Sequence, residues 1–306
     1  MAKKIKDPGL GYSSNKNIQS FIKSDGSSNI LHLNRSGNFD DLYAYLLGLS
    51  WSVFLFLVAL GFILLNSFFA CIYMWIGIEE LSIIPGGALE NFINAFNFSA
   101  QTITTVGYGA ISPKGIASGI ISSIEALAGL MSFSFITGLL YGRFSKPKSS
   151  IRFSKSFVVR KFNGEKALMF RLTNKRKTIM IEPDIKITLT ISELEKNGEF
   201  KRSFYELKLE RDHVTYLPTM WTIVHVIDKD SPLYKYSNEE LKKLKAYLYI
   251  LFQYHEESYS QKLYKLHSYN FQELKTETSF KSSVKFSEKG KIILDHNLLD
   301  QTEHMD

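Results

Sequence analysis

The sequence has very little cysteine and, over a third of its length, very little charge. Cys71 is the only cysteine, so a disulfide-stapled secreted domain and a cysteine-based zinc site are both excluded. Residues 42–142 hold five charged side chains with a net charge of −3, whereas the remaining residues carry 62 with a net charge of +10. This division argues against a purely soluble enzyme and against a disordered chain. It indicates a membrane part joined to a basic soluble part.

Two long apolar runs lie within the charge-poor region. No residue from Leu42 to Ile78 is charged, and a second run over residues 115–142 is interrupted only by Glu125. A membrane-spanning helix needs roughly 20 apolar residues. We therefore predict one span at about 49–77 and a second at about 115–143. The alternative, a buried helix of a soluble protein, is usually about half as long.

Charges beside the two runs predict the orientation of the chain. Residues 143–161 contain seven Lys or Arg and no acid, whereas the segment between the runs has three acids and one lysine. Basic residues favour the cytoplasmic side, so we expect a multi-pass protein of the cell (inner) membrane with both termini in the cytoplasm. The basic N-terminus is followed by polar residues, so no cleavable signal is expected.

A short amphipathic segment precedes the first span. Apolar side chains recur at helical spacing within residues 39–48, and Asp40 and Asp41 favour the N-terminal turn of a helix. We predict a helix over 39–48 that lies along the inner membrane surface; the alternative is that it is the start of the first span. Residues 1–38 are polar and are expected to be a mostly flexible cytoplasmic segment.

The segment between the spans, about 38 residues, is too long for a plain hairpin loop. Pro85-Gly86-Gly87 is followed by an apolar-rich stretch without Gly or Pro, which predicts a short helix and a following loop over about 89–109. The helix leads into the sequence Thr105, Val106, Gly107, Tyr108, Gly109. This five-residue sequence resembles the selectivity filter of potassium channels.

The residue types of this loop suit the coordination of a bare cation. Successive backbone carbonyls can replace the hydration oxygens of K⁺ if they turn toward one axis, and such a ribbon needs backbone conformations that glycine adopts easily. We therefore expect K⁺ to be coordinated at Thr105, Val106, Gly107 and Tyr108, with Val106 and Tyr108 wedged against surrounding helices. One ribbon supplies a quarter of a ring, so a pore needs four identical chains. The alternative is a chance Gly-Tyr-Gly turn.

Further motifs extend the resemblance over residues 39–300. They are Phe-Asp-Asp-Leu-Tyr before the first span, Phe-Ser-Ala-Gln-Thr ahead of the filter, Glu-Ala-Leu-Ala-Gly and Thr-Gly-Leu-Leu-Tyr-Gly-Arg-Phe in the second span, and Leu-Met-Phe-Arg-Leu-Thr-Asn and Trp-Thr-Ile-Val-His with Ser-Pro-Leu beyond it. On these motifs the chain resembles the inward-rectifier potassium channels, in particular their prokaryotic branch.

The resemblance assigns expected roles to the second span and the residues after it. Phe133 falls at a cavity-lining position where strong rectifiers have an acid, and Tyr141 falls at the gate, where the inner helices cross. The alternative for both is lipid-facing or helix-packing bulk. Arg143, Lys146 and Lys148 resemble the basic stretch that binds anionic lipid head groups, with the sign of lipid control left open; alternatively they are a topology signal only.

The positions behind the filter depart from the family pattern. Gln101 stands where the family usually has an acid, and Ala110 and Ile111 stand where charged residues follow the filter. A charged strut behind the filter is therefore absent, which leaves the strictness of K⁺ over Na⁺ selection open. Glu125 is expected behind the filter as well, with a structural hydrogen-bonding role rather than direct contact with the ion.

The soluble half has the pattern of short strands. Residues 185–191 and 205–210 alternate apolar and polar side chains, and Asn163-Gly164 and Asn197-Gly198 are hairpin signals. Such strands imply a β-sandwich, and the resemblance implies an immunoglobulin-like one. We thus predict a transmembrane pore domain over 49–145 and a cytoplasmic domain over 146–306. The seven histidines are scattered and are interpreted as surface or packing residues.

These features predict a homotetrameric, K⁺-selective inward-rectifier-type channel that conducts passively, needs no cofactor, does not bind nucleic acid and is not an enzyme. One alternative is a poorly selective monovalent cation channel of the same fold. Another is a non-conducting membrane anchor for a β-sandwich sensor, and a third is a subunit of a potassium uptake transporter. Transporter subunits usually carry four non-identical pore loops in one chain, and this chain has one.

Overall fold

Helices occupy the apolar part of the chain in the computed structural model, which describes residues 4–15, 19–34, 40–145, 147, 149–195 and 198–304. The chain divides into two units: residues 34–147, called here the pore unit, and residues 1–33 with 148–306, called the cytoplasmic unit. The helices of the pore unit are α1 (Asp40–Gly48), α2 (Trp51–Ile76), α3 (Ala88–Ile103) and α4 (Ile116–Phe144).

Helices α2 and α4 are both long and apolar enough to cross a membrane. Their ends lie within two residues of the ends of the two predicted spans. Ser50 caps the start of α2 by accepting a hydrogen bond from the Val53 amide, and Gly77 ends the helix at a φ of 107°, where a residue without a Cβ is favoured. Helix α1 covers residues 40–48 of the helix predicted over 39–48, while its position at the membrane surface stays a prediction and Phe39 lies outside the described residues.

Strands fill the cytoplasmic unit. They are β1 (Lys4–Ile5), β2 (Ser13–Ser14), β3 (Ile151–Phe153), β4 (Val158–Phe162), β5 (Glu165–Asn174), β6 (Met180–Leu194), β7 (Phe200–Glu206), β8 (Tyr216–Leu217), β9 (Trp221–Ile227), β10 (Ala246–Glu256), β11 (Gln261–Asn270), β12 (Lys275–Thr276), β13 (Thr278–Phe280), β14 (Val284–Phe286), β15 (Ile292–Leu294) and β16 (Thr302–His304). A short helix, α5 (Asn238–Lys243), precedes β10.

Two sheets build the sandwich of the cytoplasmic unit. The first has the order β1-β7-β6-β10-β11, with β2 also on β7 and β8 on β6; the second has the order β12-β4-β5-β3, with β9 on β5. Pairing is antiparallel throughout these sheets except between β12 and β4. Outside the sandwich sheets, β13 pairs with β16 and β14 with β15.

Buried apolar side chains from both sheets form one core. The apolar side chains of β6 at positions 185, 187, 189 and 191 are buried, and they belong to one core cluster with Leu168 and Phe170 of β5. This pattern is the one that alternation over residues 185–191 predicts. Each fully buried side chain of this size contributes about 1.5–3 kcal/mol, so the interior between the two sheets supplies the main stabilisation of the unit.

The Asn163-Gly164 pair forms the tight hairpin turn that the sequence predicts. Both residues have positive φ, 49° and 87°, and Phe162 pairs with Glu165 across the turn. Gly198 also has a positive φ, 82°, at the corresponding turn between β6 and β7. Its neighbour Asn197 lies outside the described residues.

The strand predicted over residues 205–210 is partly wrong, because β7 ends at Glu206. The Leu207 amide donates to the Ile187 carbonyl of the first sheet, and the Glu210 amide donates to the Val224 carbonyl of the second sheet. The segment therefore crosses from one sheet to the other. Its alternating side chains reflect burial on one side of this crossing rather than membership of a ladder.

The N-terminal residues, predicted to be mostly flexible, instead pair with the cytoplasmic unit. Strands β1 and β2 both lie on β7, and Arg202 of β7 donates to the carbonyls of Leu10 and Ser13. Farther along, the Phe21 amide donates to the Tyr249 hydroxyl. These contacts join sequence segments about 200 residues apart, which composition alone does not reveal.

A tight turn over residues 22–28 fastens this N-terminal segment to strand β11. Ser268 donates to the Ile22 carbonyl, and the Lys265 ammonium donates to the Asp25 carbonyl, both at 2.5 Å. Gly26 has a φ of 89°, and a Cβ built on it would lie 2.3 Å from the Leu266 carbonyl oxygen. Only glycine fits this close approach.

Candidate ion-conduction site

The filter segment begins at the C-terminal end of α3. The Thr105 amide donates to the Thr102 carbonyl and the Val106 amide to the Gln101 carbonyl, at 3.1 and 3.0 Å. These bonds tie the first two filter residues to the last turn of the helix. The carbonyl end of a helix carries a partial negative charge, so α3 directs that charge to the end of the segment where the filter starts.

Backbone dihedrals alternate along the filter segment. Thr105, Gly107 and Gly109 have positive φ values of 61°, 53° and 80°, and they alternate with Val106 and Tyr108, whose φ is negative. Alternation of left- and right-handed residues turns successive peptide groups toward the same side of the backbone. These dihedrals are compatible with a row of carbonyl oxygens that face a cation, and that arrangement stays a prediction from the glycine spacing.

Side chains of the filter segment find few neighbours within one chain. Tyr108 is 79% exposed and Val106 is 51% exposed, so the wedging expected from the sequence is not made by the helices of the same chain. Most of the surface of the Tyr108 side chain is therefore free of contacts within one chain.

The end of α3 lies directly against α4 at Gly129. A Cβ built on Gly129 would lie 2.5 Å from the Ile103 carbonyl oxygen and 2.8 Å from its Cα. Because both are backbone atoms, they cannot move aside without shifting the helix. The absence of a side chain at Gly129 thus sets the distance between the second span and the residue two positions before the filter.

A buried polar cluster, called here the behind-filter cluster, links α3 to both spans. Its members are Asn66 and Tyr73 of α2, Ser99 of α3 and Glu125 of α4, and none of the four is exposed to solvent. The Tyr73 hydroxyl donates to Glu125 Oε2 at 2.7 Å, and Ser99 Oγ contacts Glu125 Oε1. Ser99 Oγ also lies 2.9 Å from Asn66 Oδ1.

Glu125 is the one member of this cluster that was predicted from the sequence to lie behind the filter. Gln101, for which the same position stays a prediction, is half-buried, and the hydrogen-bond partners of Glu125 are Ser99 and Tyr73. Asn66 offered a signal, because it is a lone amide in an apolar span and polar groups there face protein rather than lipid. Its pairing with a residue 33 positions away needed the fold.

Hydrogen bonds on the far side of the filter join the two ends of the inter-span segment. The Ser82 amide donates to the Ser112 carbonyl, and Glu80 O accepts from the Lys114 amide, both at 2.8 Å, and from Ser118 Oγ. Ile111 packs against the apolar cluster formed by α2 and α3. An apolar contact therefore occupies a position where the resemblance implies a charged residue in the family.

Phe133 and Tyr141 both project from α4 into the surroundings of the single chain. They are 71% and 75% exposed. Such exposure is compatible with the expected roles at a central cavity and a gate, and equally with contact to lipid. The two are eight residues apart, or roughly 12 Å along the helix axis, so they lie more than two helical turns from each other.

Arg143 is held by protein rather than free at the surface. Its guanidinium donates to the carbonyls of Leu46 and Leu49 at 2.7 Å and lies over the rings of Trp51 and Phe54, 4.7 and 4.5 Å from their centroids. The planar fork of Arg thus satisfies carbonyls at the end of α1. The other two predicted lipid-binding residues, Lys146 and Lys148, lie outside the described residues.

Gly142 lets α1 approach α4 closely beside this arginine. A Cβ on Gly142 would lie 2.7 Å from Tyr43 Oη and 3.1 Å from a Leu47 methyl carbon. The end of α4 and helix α1 are therefore in direct contact next to Tyr141. A displacement of α1 would be transmitted to this part of α4.

Comparison with known proteins defines first the class and then the family. A family model described as "Ion channel" matches residues 49–146, which makes the pore unit that of a two-span ion channel. The model of the inward rectifier potassium channel C-terminal domain matches residues 151–306. The chain belongs to the inward rectifier potassium channel family.

Curated relatives agree with this assignment. The inward rectifier potassium channel Kirbac3.1 of Paramagnetospirillum magnetotacticum is 35% identical over 83% of this chain and 85% of its own length. Inward rectifier potassium channel 4 of Mus musculus is 26% identical over 72% of this chain and 58% of its own length. The G protein-activated inward rectifier potassium channel 2 of Homo sapiens is 27% identical over 74% and 59%.

Among solved structures, the sporulation control protein Spo0M of Bacillus subtilis covers 42% of this chain with a TM-score of 0.20, a likeness too low to inform the fold. The family matches confirm the predicted fold class, a two-span pore domain with a cytoplasmic β-sandwich. They also confirm the predicted membrane location and channel class, since the family consists of ion channels and not of enzymes.

Proposed function

We propose that this chain is one subunit of a homotetrameric, potassium-selective channel that conducts K⁺ passively across the cell membrane. The observation that carries the proposal is the alternation of positive φ at Thr105, Gly107 and Gly109, in a segment that starts at the C-terminal end of α3 between two membrane-spanning helices. Carbonyl oxygens of Thr105 to Tyr108 coordinate K⁺ in this proposal. The high exposure of Tyr108 and Val106 in one chain supports assembly with further copies.

Both ends of the chain lie on the same side of the membrane in this proposal. Strands β1 and β2 pair with β7, and two spans separate the paired segments. An even number of spans returns the chain to the side from which it started. The basic stretch after α4 assigns that side to the cytoplasm by the positive-inside rule.

Tyr141 is the proposed gate, Phe133 lines the cavity, and anionic lipids modulate opening through the basic stretch after α4. Four Tyr141 rings that meet on a fourfold axis exclude hydrated ions. The contacts of Arg143 with carbonyls of α1 support a positioning role for this residue. In this proposal Lys146 and Lys148 are the two residues of the stretch that bind lipid phosphates.

Radioactive rubidium uptake into liposomes tests the conduction proposal. Purified protein should give uptake that Ba²⁺ blocks and that an excess of Na⁺ leaves unchanged. Gly107→Ala should abolish uptake, because an added Cβ disfavours the positive φ on which the carbonyl row depends. Gly164→Ala is the matched control, since Gly164 has a φ of 87° and an equally open surrounding but lies in the hairpin of β4 and β5.

The same experiment separates the alternatives. Uptake that Na⁺ suppresses as effectively as K⁺ does would favour a poorly selective cation channel. Gln101 and Ala110 are consistent with that alternative, because neither places a charge beside the filter. Absence of Ba²⁺-sensitive uptake at every tested content of anionic lipid would contradict conduction and leave the membrane-anchored sensor. Equal loss of uptake in Gly107→Ala and Gly164→Ala would remove the filter assignment.

A further inference from the structure

The behind-filter cluster has four contacts between polar atoms, but with an ionised Glu125 its side chains can place a proton in only three of them. Four close contacts follow one another through the cluster: Tyr73 Oη to Glu125, Glu125 to Ser99 Oγ, Ser99 Oγ to Asn66 Oδ1, and the Asn66 amide to the Phe62 carbonyl. Each contact joins two atoms that attract only if a proton lies between them. This series of contacts therefore needs four protons, one for each contact.

Three of the four protons come from groups whose donors are fixed by chemistry. The Tyr73 hydroxyl supplies one, the Ser99 hydroxyl supplies one, and the NH₂ of Asn66 supplies one to the Phe62 carbonyl at 2.7 Å. Exchanging the oxygen and nitrogen of the Asn66 amide does not help. It would give Ser99 a donor but leave the amide oxygen against the Phe62 carbonyl, two acceptors with no proton between them.

We propose that Glu125 carries the fourth proton and is a neutral carboxylic acid in the working channel, an inference that rests on the proposed function only for its role at the filter. Every contact of the series then contains a proton, and all the hydrogen bonds point the same way, from Tyr73 toward Phe62. Tyr73 donates to Glu125 Oε2, the carboxyl proton on Oε1 goes to Ser99 Oγ, Ser99 donates to Asn66, and Asn66 donates to the Phe62 carbonyl of the preceding helical turn.

Burial favours the same protonation state. All four side chains have no solvent-exposed surface within a single chain, so bulk water cannot stabilise a carboxylate there. No Lys, Arg or His among the described residues forms an ion pair with Glu125. An unpaired carboxylate at membrane depth is very costly, and a neutral acid with a donor and an acceptor is not.

Glu125, Ser99, Asn66 and Tyr73 act in this proposal as positioning residues for the filter. Ser99 lies on α3 six residues before Thr105, and the cluster fixes it to α2 on one side and to α4 on the other. A neutral hydrogen-bonded chain thus holds the filter helix where Gln101, Ala110 and Ile111 leave no charged strut. The helix is positioned without any electrostatic field from Glu125 on the conducted ion.

Infrared spectroscopy of the full-length protein in lipid vesicles at neutral pH tests the protonation directly. The wild type minus Glu125→Gln difference spectrum should contain the carbonyl band of a protonated carboxyl group. Tyr73→Phe should move this band to higher frequency, because the acid carbonyl loses its donor. Glu90→Gln is the matched control, since Glu90 is an exposed acid at the start of the same α3, and it should leave the band unchanged.

Rubidium uptake supplies the second readout. Glu125→Gln should keep uptake within about twofold of wild type, because the amide can donate to Ser99 and accept from Tyr73 as the acid does. Glu125→Leu should lose most of the uptake and lower the thermal stability of the tetramer. A carboxylate band in place of the acid band, or an equal loss in Glu125→Gln and Glu125→Leu, would overturn the proposal. The acid band without any uptake in wild type would instead contradict the proposed function alone.

Discussion

Gly129 is the residue at which α4 meets the last turn of α3, next to the segment proposed as the filter. Its bare Cα faces the backbone of Ile103, and any side chain there would enter the space of the last turn of α3. The contact is made by two backbones, so neither partner can adapt by changing a rotamer. Strain at this point passes directly to Thr105, two residues after Ile103.

Gly129→Ala should therefore abolish or strongly reduce rubidium uptake. The new methyl group lies 2.5 Å from the Ile103 carbonyl oxygen, and overpacking of this kind costs about 1–3 kcal/mol. Liposome uptake and the thermal stability of the tetramer are the measurements. Gly119→Ala, in the same helix with open space around its Cα, is the control, and uptake that is reduced equally in both variants would contradict the role of Gly129.

Tyr141→Ala should raise the rubidium flux. Removing the ring widens the narrowest point that we assign to the helix crossing, and the Tyr141 side chain is exposed in one chain. Leu140→Ala, which removes a large side chain from the adjacent position, is the control and should leave flux near the wild-type level. Unchanged or lower flux in an intact Tyr141→Ala tetramer would count against the gate assignment.

At the scale of secondary structure, α1 is fastened to α4 by one arginine and one glycine. Arg143 binds carbonyls at the C-terminal end of α1, where the helix leaves such groups without partners of its own. Gly142 allows Tyr43 and Leu47 to approach the backbone of α4. The interfacial helix and the segment that follows Tyr141 are expected to move together.

Arg143→Lys should loosen α1 although it keeps the charge. A single ammonium cannot reproduce the planar fork that reaches the carbonyls of Leu46 and Leu49. Hydrogen–deuterium exchange of the amides of residues 40–49 should become faster in this variant.

The Lys146→Gln/Lys148→Gln double variant separates lipid binding from this packing role. It should bind less to vesicles with anionic lipid while the exchange of α1 stays at the wild-type rate. Loss of lipid binding in Arg143→Lys without faster amide exchange in α1 would show that Arg143 binds lipid and does not hold α1 against α4.

The helices were predictable from the sequence, but the contacts between them were not. Long uncharged runs and the break at Pro85-Gly86-Gly87 determine where α2, α3 and α4 lie, because these signals are local. The partners of Glu125 come from positions 26 and 52 residues away. Which polar residues of three helices face each other depends on helix rotation and crossing, which periodicity does not encode.

The N-terminal strands were missed for a related reason. Each of β1 and β2 has two residues, too few for an alternating pattern to stand out from a polar segment. Their stability comes from the edge of β7 and from Arg202 rather than from their own composition. Such short strands can be recognised only from the strand with which they pair. That strand, β7, is separated from them in the sequence by both membrane spans.

At the scale of the whole molecule, the cytoplasmic unit should lose stability in mild acid. His267 donates a hydrogen bond to the Ser24 carbonyl of the N-terminal segment and stacks on Phe153 at 4.6 Å. Burial lowers its pKa from 6.5 to about 4. Burial also lowers the pKa of His225, which donates to the Lys208 carbonyl and accepts from Ser231.

The sign of the effect follows from these lowered pKa values. Between pH 6.5 and about 4 the unfolded state binds a proton at His267 and the folded state does not, so acid favours unfolding. The contribution is complete above pH 6.5 and is lost as the pH falls toward 4, at most ~3 kcal/mol. His267→Gln should flatten the pH dependence of the thermal midpoint, whereas the exposed His296→Gln should not. An equally steep dependence in His267→Gln would assign the acid sensitivity elsewhere.

The pairing of β1 with β7 also has a consequence for the order of events during synthesis. Residues 4–15 and 19–33 are made before the two spans, whereas their partners on β7, β10 and β11 are made after both spans. These residues therefore stay unpaired with those strands until both spans have been synthesised. In the proposed topology, closure of the cytoplasmic unit is a late step that requires the two spans to return the chain to the side of the membrane on which residues 4–33 lie.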